Sequence, residues 1–185
     1  MPATHLDRPD AFSAAECAAI VELARSRGLE PATVYGAAGD EVVPDLRRAE
    51  RCHLRREDSP GWLYERLDAL FGLAAVHFGL TVEPVFEAIQ IVRYGPGDHF
   101  RTWHSDAGMD RFYQRQVSMS VELSDPADHD GGILEIAPPT IGVARTLPHG
   151  GARLFPSRAI HHVTPVTRGE RWALVSWTGQ REPPS

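Results

Sequence analysis

Apolar and polar residues alternate most cleanly over residues 116–123, "QVSMSVEL". Val117, Met119, Val121 and Leu123 fall on one face; Gln116, Ser118, Ser120 and Glu122 fall on the other. A period of two marks a strand. The polar face suits either solvent or a wet interior pocket, and the pattern does not choose between them. From about residue 84 onward come further short runs rich in β-branched and aromatic residues: "VFEAIQIVRY", "GGILEI", "ARLFP" and "RWALVSW". Turn clusters such as "GPGD", "DPADHDGG" and "PHGG" separate them.

Upstream the period is helical. "FSAAECAAIVELARSRGLE" predicts a helix opened by a capping box, Ser13 with Glu16, and stopped by Gly28. "DSPGWLYERLDALFGLAAVHFGL" predicts a second, with Ser59 as cap, Pro60 at the first helical position and an apolar stripe through Trp62, Leu63, Leu67, Leu70, Phe71 and Ala74. Residues 29–58 read as loops and short strands. Helices followed by many short strands predict a mainly β, α+β chain: a sandwich or jelly roll flanked by N-terminal helices. The expected organisation is one domain over 1–185, with a helical support region at 1–83 and a strand-built core at 84–180.

Composition narrows the class without deciding it. The chain has 185 residues, 42% of them hydrophobic, enough for one sizeable core. Its net charge of −6 argues against a nucleic-acid partner, which calls for a basic face. Lysine is absent, so all 19 basic residues are arginines and any anion held by charge meets a guanidinium fork. Cys17 and Cys52 make no CxxC pair, and a reduced, cytoplasmic setting is expected. The N-terminus carries no apolar leader, and no run approaches a membrane span.

The candidate chemistry starts at "FRTWHSDAG". His104 and Asp106 lie two apart, and on a strand such positions point the same way. With a histidine from another strand they would form the 2-His-1-carboxylate set of non-haem Fe(II) oxygenases. The motif is short, and "HLD" at His5 and Asp7 repeats it; that copy precedes the first helix in a polar, loose terminus. In "RAIHHVTPVTRGERWALVSW", strand alternation lets at most one of His161 and His162 face a given site. Arg171, in an apolar strand, needs an anion; a substrate carboxylate and a structural Asp or Glu fit equally. Arg47 and Arg48 read either as a solvated pair or as residues reaching a pocket mouth. His53, His77, His99, His129 and His149 read as surface or hydrogen-bonded histidines.

Together, "YGPGDHFRTWHSDAG", "DPADHDGGILEI" and "IHHVTPVTRGERWALVSW" resemble the Fe(II)- and 2-oxoglutarate-dependent dioxygenases, and within them the prolyl-4-hydroxylase-like group with its PKHD-type members. The likeness covers roughly residues 88–178. It implies a double-stranded β-helix (jelly roll, cupin-like) core, with His104, Asp106 and His161 as iron ligands and Arg171 on the distal carboxylate of 2-oxoglutarate. It implies Tyr94 as a cosubstrate contact, and Gln90, Ser120, Leu134, Val163 and Trp177 on the pocket wall. Fe(II), 2-oxoglutarate and O2 would be the cofactors, with ascorbate as an auxiliary reductant. Hydroxylation of a C–H in an amino acid, peptidyl residue or small metabolite, with succinate and CO2 released, is the implied activity. The Asp106 carboxylate speaks against a halogenase, whose relatives place a small residue there.

Two positions depart from the pattern. Phe100 and Glu122 stand where many relatives carry tyrosine, and a carboxylate at 122 would repel 2-oxoglutarate unless it turns away or pairs with an arginine. Two rival readings remain: a cupin-like metal enzyme that does not use 2-oxoglutarate, and a catalytically silent binding or sensor domain. Substrate choice is expected to lie in residues 31–58 and 107–114.

Overall fold

In the computed structural model, residues 4–36, 39–108, 114–137 and 146–181 are described. The alternating stretch forms the strand Arg115–Glu122, and it is buried on both faces. Val117, Met119 and Val121 join the main core, while Ser118 and Ser120 are buried on the other side. The polar face therefore looks inward. This strand lies near the middle of a seven-stranded antiparallel sheet, ordered Leu6–Arg8, Ala152–Pro156, Arg115–Glu122, Arg171–Gly179, Ile89–Tyr94, Glu50–Leu54 and Glu30–Pro31. A second antiparallel sheet has the order Leu134–Ile136, His161–Val163, His99–His104 and Arg47–Arg48. The two sheets make the jelly-roll pair expected of a mainly β chain.

Two helices cover the apolar outer face of the larger sheet: α1, Ala14–Arg27, and α2, Gly61–Phe78. Their buried residues, among them Ile20, Leu63, Leu67 and Phe71, share one core cluster with Met119, Leu154 and Leu174. Both halves of the Ser13–Glu16 capping box are present, and Gly28 ends α1 at φ 89°. The second cap differs from expectation. Pro60 itself takes the N-cap position of α2, and the Ser59 hydroxyl donates to the Arg55 carbonyl at 2.7 Å instead of to the helix.

The N-terminus also differs. Residues Leu6–Arg8 form an edge strand on Ala152–Pro156, and the Arg153 guanidinium forks onto the Asp7 carboxylate with two 2.8 Å bonds. The first HxD copy is thus held by a structural ion pair, which a sequence reading of a loose end does not foresee. Of the expected specificity segments, residues 37–38 and 109–113 lie outside the described residues. No helix among the described residues is long and apolar enough to cross a membrane.

Candidate metal centre and its pocket

The larger sheet's polar face and the smaller sheet enclose a cavity of about 850 Å³. Strand register sets what enters it. His161 pairs with His104 across neighbouring strands, so both imidazoles reach the same spot. The strand carrying His104 ends there, and Asp106 follows in a bend. This corrects the expectation of a shared strand face: the Ser157 carbonyl accepts from the backbone N–H groups of Asp106 and Ala107, both at 3.0 Å, and that turns the carboxylate back.

One donor atom from each of His104, Asp106 and His161 lies within 4.8 Å of the other two. His104 Nδ1 sits 2.8 Å from the Thr102 carbonyl, and His161 Nδ1 sits 2.9 Å from the Ala159 carbonyl. A carbonyl only accepts, so each Nδ1 carries a proton, which leaves Nε2 as the nitrogen available to a metal. Those Nε2 atoms face Asp106, at 3.9 Å for His104 and 3.5 Å for His161. Burial, then the neighbouring His161, push His104 down to about 4, so it is neutral at pH 7. Burial alone would raise Asp106; the His161 and His104 rings and the Ser118 hydroxyl outweigh it and hold the carboxyl below its usual range. Two imidazoles and a carboxylate converging at ligand spacing fit a divalent iron ion.

Ser118 Oγ donates to Asp106 Oδ2 at 2.7 Å and lies 2.9 Å from Ser157 Oγ. The alternation marked Ser118 as polar but not as a partner of Asp106; Ser157 carried no sequence signal. Outer partners of this kind orient a ligating carboxylate. Ser118→Ala is expected to weaken Mn(II) binding by roughly 10–100-fold, measured by calorimetry.

His162 takes the opposite side of its strand. Its Nε2 lies 2.6 Å from Glu135 Oε2, and its ring stacks on Trp103 with centroids 3.9 Å apart. Only His161 of the pair is turned to the cavity.

Arg171 lies opposite Tyr94 in strand register, with its guanidinium carbon 5.6 Å from the centre of that ring. Its Nε donates to Glu122 Oε2 at 2.9 Å, with both side chains almost fully buried. Burial pushes Glu122 up, against the pull of Arg171. His129 Nε2 lies 3.8 Å from Glu122 Oε1, and both atoms are buried without a hydrogen bond. The structural carboxylate for Arg171 is thus present, and the departure at 122 is accommodated by that pairing. Gly132 makes room for the arginine: at φ +66°, a Cβ there would lie 2.7 Å from Arg171 Cδ.

Arg171, Tyr94, Gln90, Ser120, Leu134, Val163, Phe100 and Trp177 all line the cavity with the metal-site residues. Phe100 stacks on His104 at 3.8 Å. The Arg47–Arg48 pair divides: Arg47 is buried on the cavity wall and Arg48 is exposed.

A jelly roll with a His-Asp-His cluster on a cavity wall is the arrangement of a non-haem iron oxygenase. Residues 89–179 match the sequence profile of the 2OG-Fe(II) oxygenase superfamily, and the chain belongs to that superfamily. PKHD-type hydroxylases are similar: one from Synechococcus is 38% identical over 104 residues, covering 54% of this chain and 46% of that protein. One from Burkholderia thailandensis is 42% identical over 91 residues, covering 46% and 40%. The matched stretch spans less than half the length of these relatives. Among solved structures, a Pseudomonas putida prolyl-4-hydroxylase superposes with a TM-score of 0.76 at 22% identity, covering 97% of this chain and 94% of that one. A viral collagen prolyl hydroxylase from Paramecium bursaria chlorella virus, solved as a 2OG complex, gives a TM-score of 0.71 at 16% identity, covering 97% of each. These structural likenesses establish the double-stranded β-helix fold. The superfamily's chemistry uses Fe(II), 2-oxoglutarate and O2.

Proposed function

We propose that the protein is an Fe(II)- and 2-oxoglutarate-dependent hydroxylase, acting on a C–H of an amino acid, a peptidyl residue or a small metabolite. The observation that carries this reading is the convergence of the His104, Asp106 and His161 donor atoms within 4.8 Å on a cavity wall. His104, Asp106 and His161 would hold the iron, and Arg171 and Tyr94 would receive 2-oxoglutarate. Bound iron would supply O2 activation, coupled to conversion of 2-oxoglutarate to succinate and CO2. The chain's own residues do the rest. The Thr102 and Ala159 carbonyls keep each Nδ1 proton in place and each Nε2 basic. Ser118 fixes the Asp106 carboxylate, and Phe100 covers one face of His104.

The test is succinate release from 2-oxoglutarate with Fe(II) and O2. Asp106→Ala is expected to lower it at least about 100-fold, since losing a ligand costs more than losing an outer partner. Turnover unchanged by that substitution overturns the iron assignment. The Arg171–Glu122 pair favours one rival, a metal enzyme on the same barrel without 2-oxoglutarate, because the guanidinium already has a counter-ion. A KM for 2-oxoglutarate indifferent to Arg171→Ala would support that rival.

A further inference from the structure

The arginines on the cavity wall differ in one respect. Among the described residues, Arg171 has Glu122 as a carboxylate partner, Arg115 has Glu87 and Arg51 has Glu30. Arg47 has none. Its Nη1 donates to the Thr33 carbonyl at 3.0 Å and its Nη2 to Gln90 Oε1 at 3.3 Å, both neutral acceptors, and the Tyr94 hydroxyl is a further neutral neighbour. Its Nε is buried without a partner, and the residue is only 8% exposed. Glu41, exposed on the same cavity, makes no ion pair with it among the described residues.

A guanidinium does not shed its proton at any ordinary pH, so this buried cation has no carboxylate in direct contact among the described residues; the Asp106 carboxylate favours its charge only from a distance. Its place makes the lack informative. Arg47 pairs with Phe100 in strand register, and its guanidinium carbon lies 4.8 Å from the centre of that ring. Phe100 in turn stacks on His104. The charge without a contact ion pair is therefore one ring removed from the metal-site wall, while the charge on Arg171 is already matched by Glu122.

We infer that Arg47 is a carboxylate-binding residue of the pocket, taking an acid group of a bound ligand onto its unpaired edge. The planar fork suits a carboxylate better than a point charge would. The inference rests on the functional reading above. The acid group has two sources: the distal carboxylate of 2-oxoglutarate, or a carboxylate on the substrate to be hydroxylated.

Each source has its own arm in the experiment. In the first, Mn(II)-loaded protein is titrated by calorimetry with 2-oxoglutarate and with 2-oxoglutaramate, whose distal acid is an amide. In the second, protein loaded with Mn(II) and 2-oxoglutarate is screened by thermal shift against free L-amino acids and their carboxamides. Wild type is expected to prefer acid over amide by at least about tenfold in one arm, and Arg47→Gln to abolish that preference. A loss of hydrogen bonds to Thr33 or Gln90 alone would weaken acid and amide equally. Arg47→Lys keeps the charge without the fork and should retain a reduced preference, which decides the matter if Arg47→Gln does not fold. Loss in the first arm identifies the cosubstrate as the source; loss in the second identifies the substrate. Intact Mn(II)-dependent 2-oxoglutarate binding with no acid preference in either arm, or a preference untouched by Arg47→Gln, overturns the inference alone. Wild type that binds no 2-oxoglutarate with Mn(II) overturns the functional reading and this inference with it.

Discussion

His161→Ala should abolish metal-dependent 2-oxoglutarate turnover, whereas His162→Ala should leave most of it. The two side chains share a backbone environment and differ only in the face they occupy. His161 Nε2 sits 3.5 Å from Asp106 Oδ2, with its other nitrogen tied to the Ala159 carbonyl. His162 is spent on Glu135 and Trp103, on the far side of the strand. Removing His161 leaves two protein ligands, and the loss in Mn(II) affinity should exceed about 100-fold, the upper range for merely disturbing a ligand's support. Removing His162 costs one partly exposed hydrogen bond to Glu135 and a ring stack, a matter of roughly 1 kcal/mol of stability. Calorimetry with Mn(II), beside succinate release with Fe(II), reads both. A reversed ranking would mean that the strand register is shifted by one residue.

Arg171→Ala should strike stability and cosubstrate binding together. It leaves Glu122 buried, unpaired and more than nine-tenths out of water. Breaking one side of a buried pair costs about 3–5 kcal/mol, which denaturant unfolding would show as a lowered midpoint. The KM for 2-oxoglutarate should rise in the same variant. Glu122→Gln separates the two effects. It removes the competing carboxylate while keeping the shape, so 2-oxoglutarate should bind at least as tightly as in wild type. Weaker binding in Glu122→Gln would show that the carboxylate orients the guanidinium rather than competing for it.

What could be read from the chain was what depends on near neighbours. Ser13 and Glu16 cap α1 because three residues bring the two groups together whatever the rest of the protein does. Strand alternation separated His161 from His162 for the same reason. The Ser59 cap failed within this local range, because Pro60 took the position itself. Other features depend on register between distant strands. Whether the polar face of Arg115–Glu122 meets solvent or a pocket is decided by the helices packed on its apolar face. That Glu122 meets Arg171, and that Arg47 is buried while Arg48 is exposed, follows from pairings across the sheets. Asp106 looked like a strand residue because spacing alone cannot show that the strand ends at His104.

The bend that carries Asp106 hangs from the Ser157 carbonyl, which accepts two backbone N–H groups and the Ser105 hydroxyl at 3.1 Å. Ser157 opens the short connection that leads into His161, whose ring is held by Ala159 in that same connection. Two of the three candidate ligands are therefore moored to one tether. A change in residues 157–160 would reach Asp106 and His161 together, which makes this short connection, remote in sequence from His104 and Asp106, a place where one substitution disturbs two candidate ligands at once.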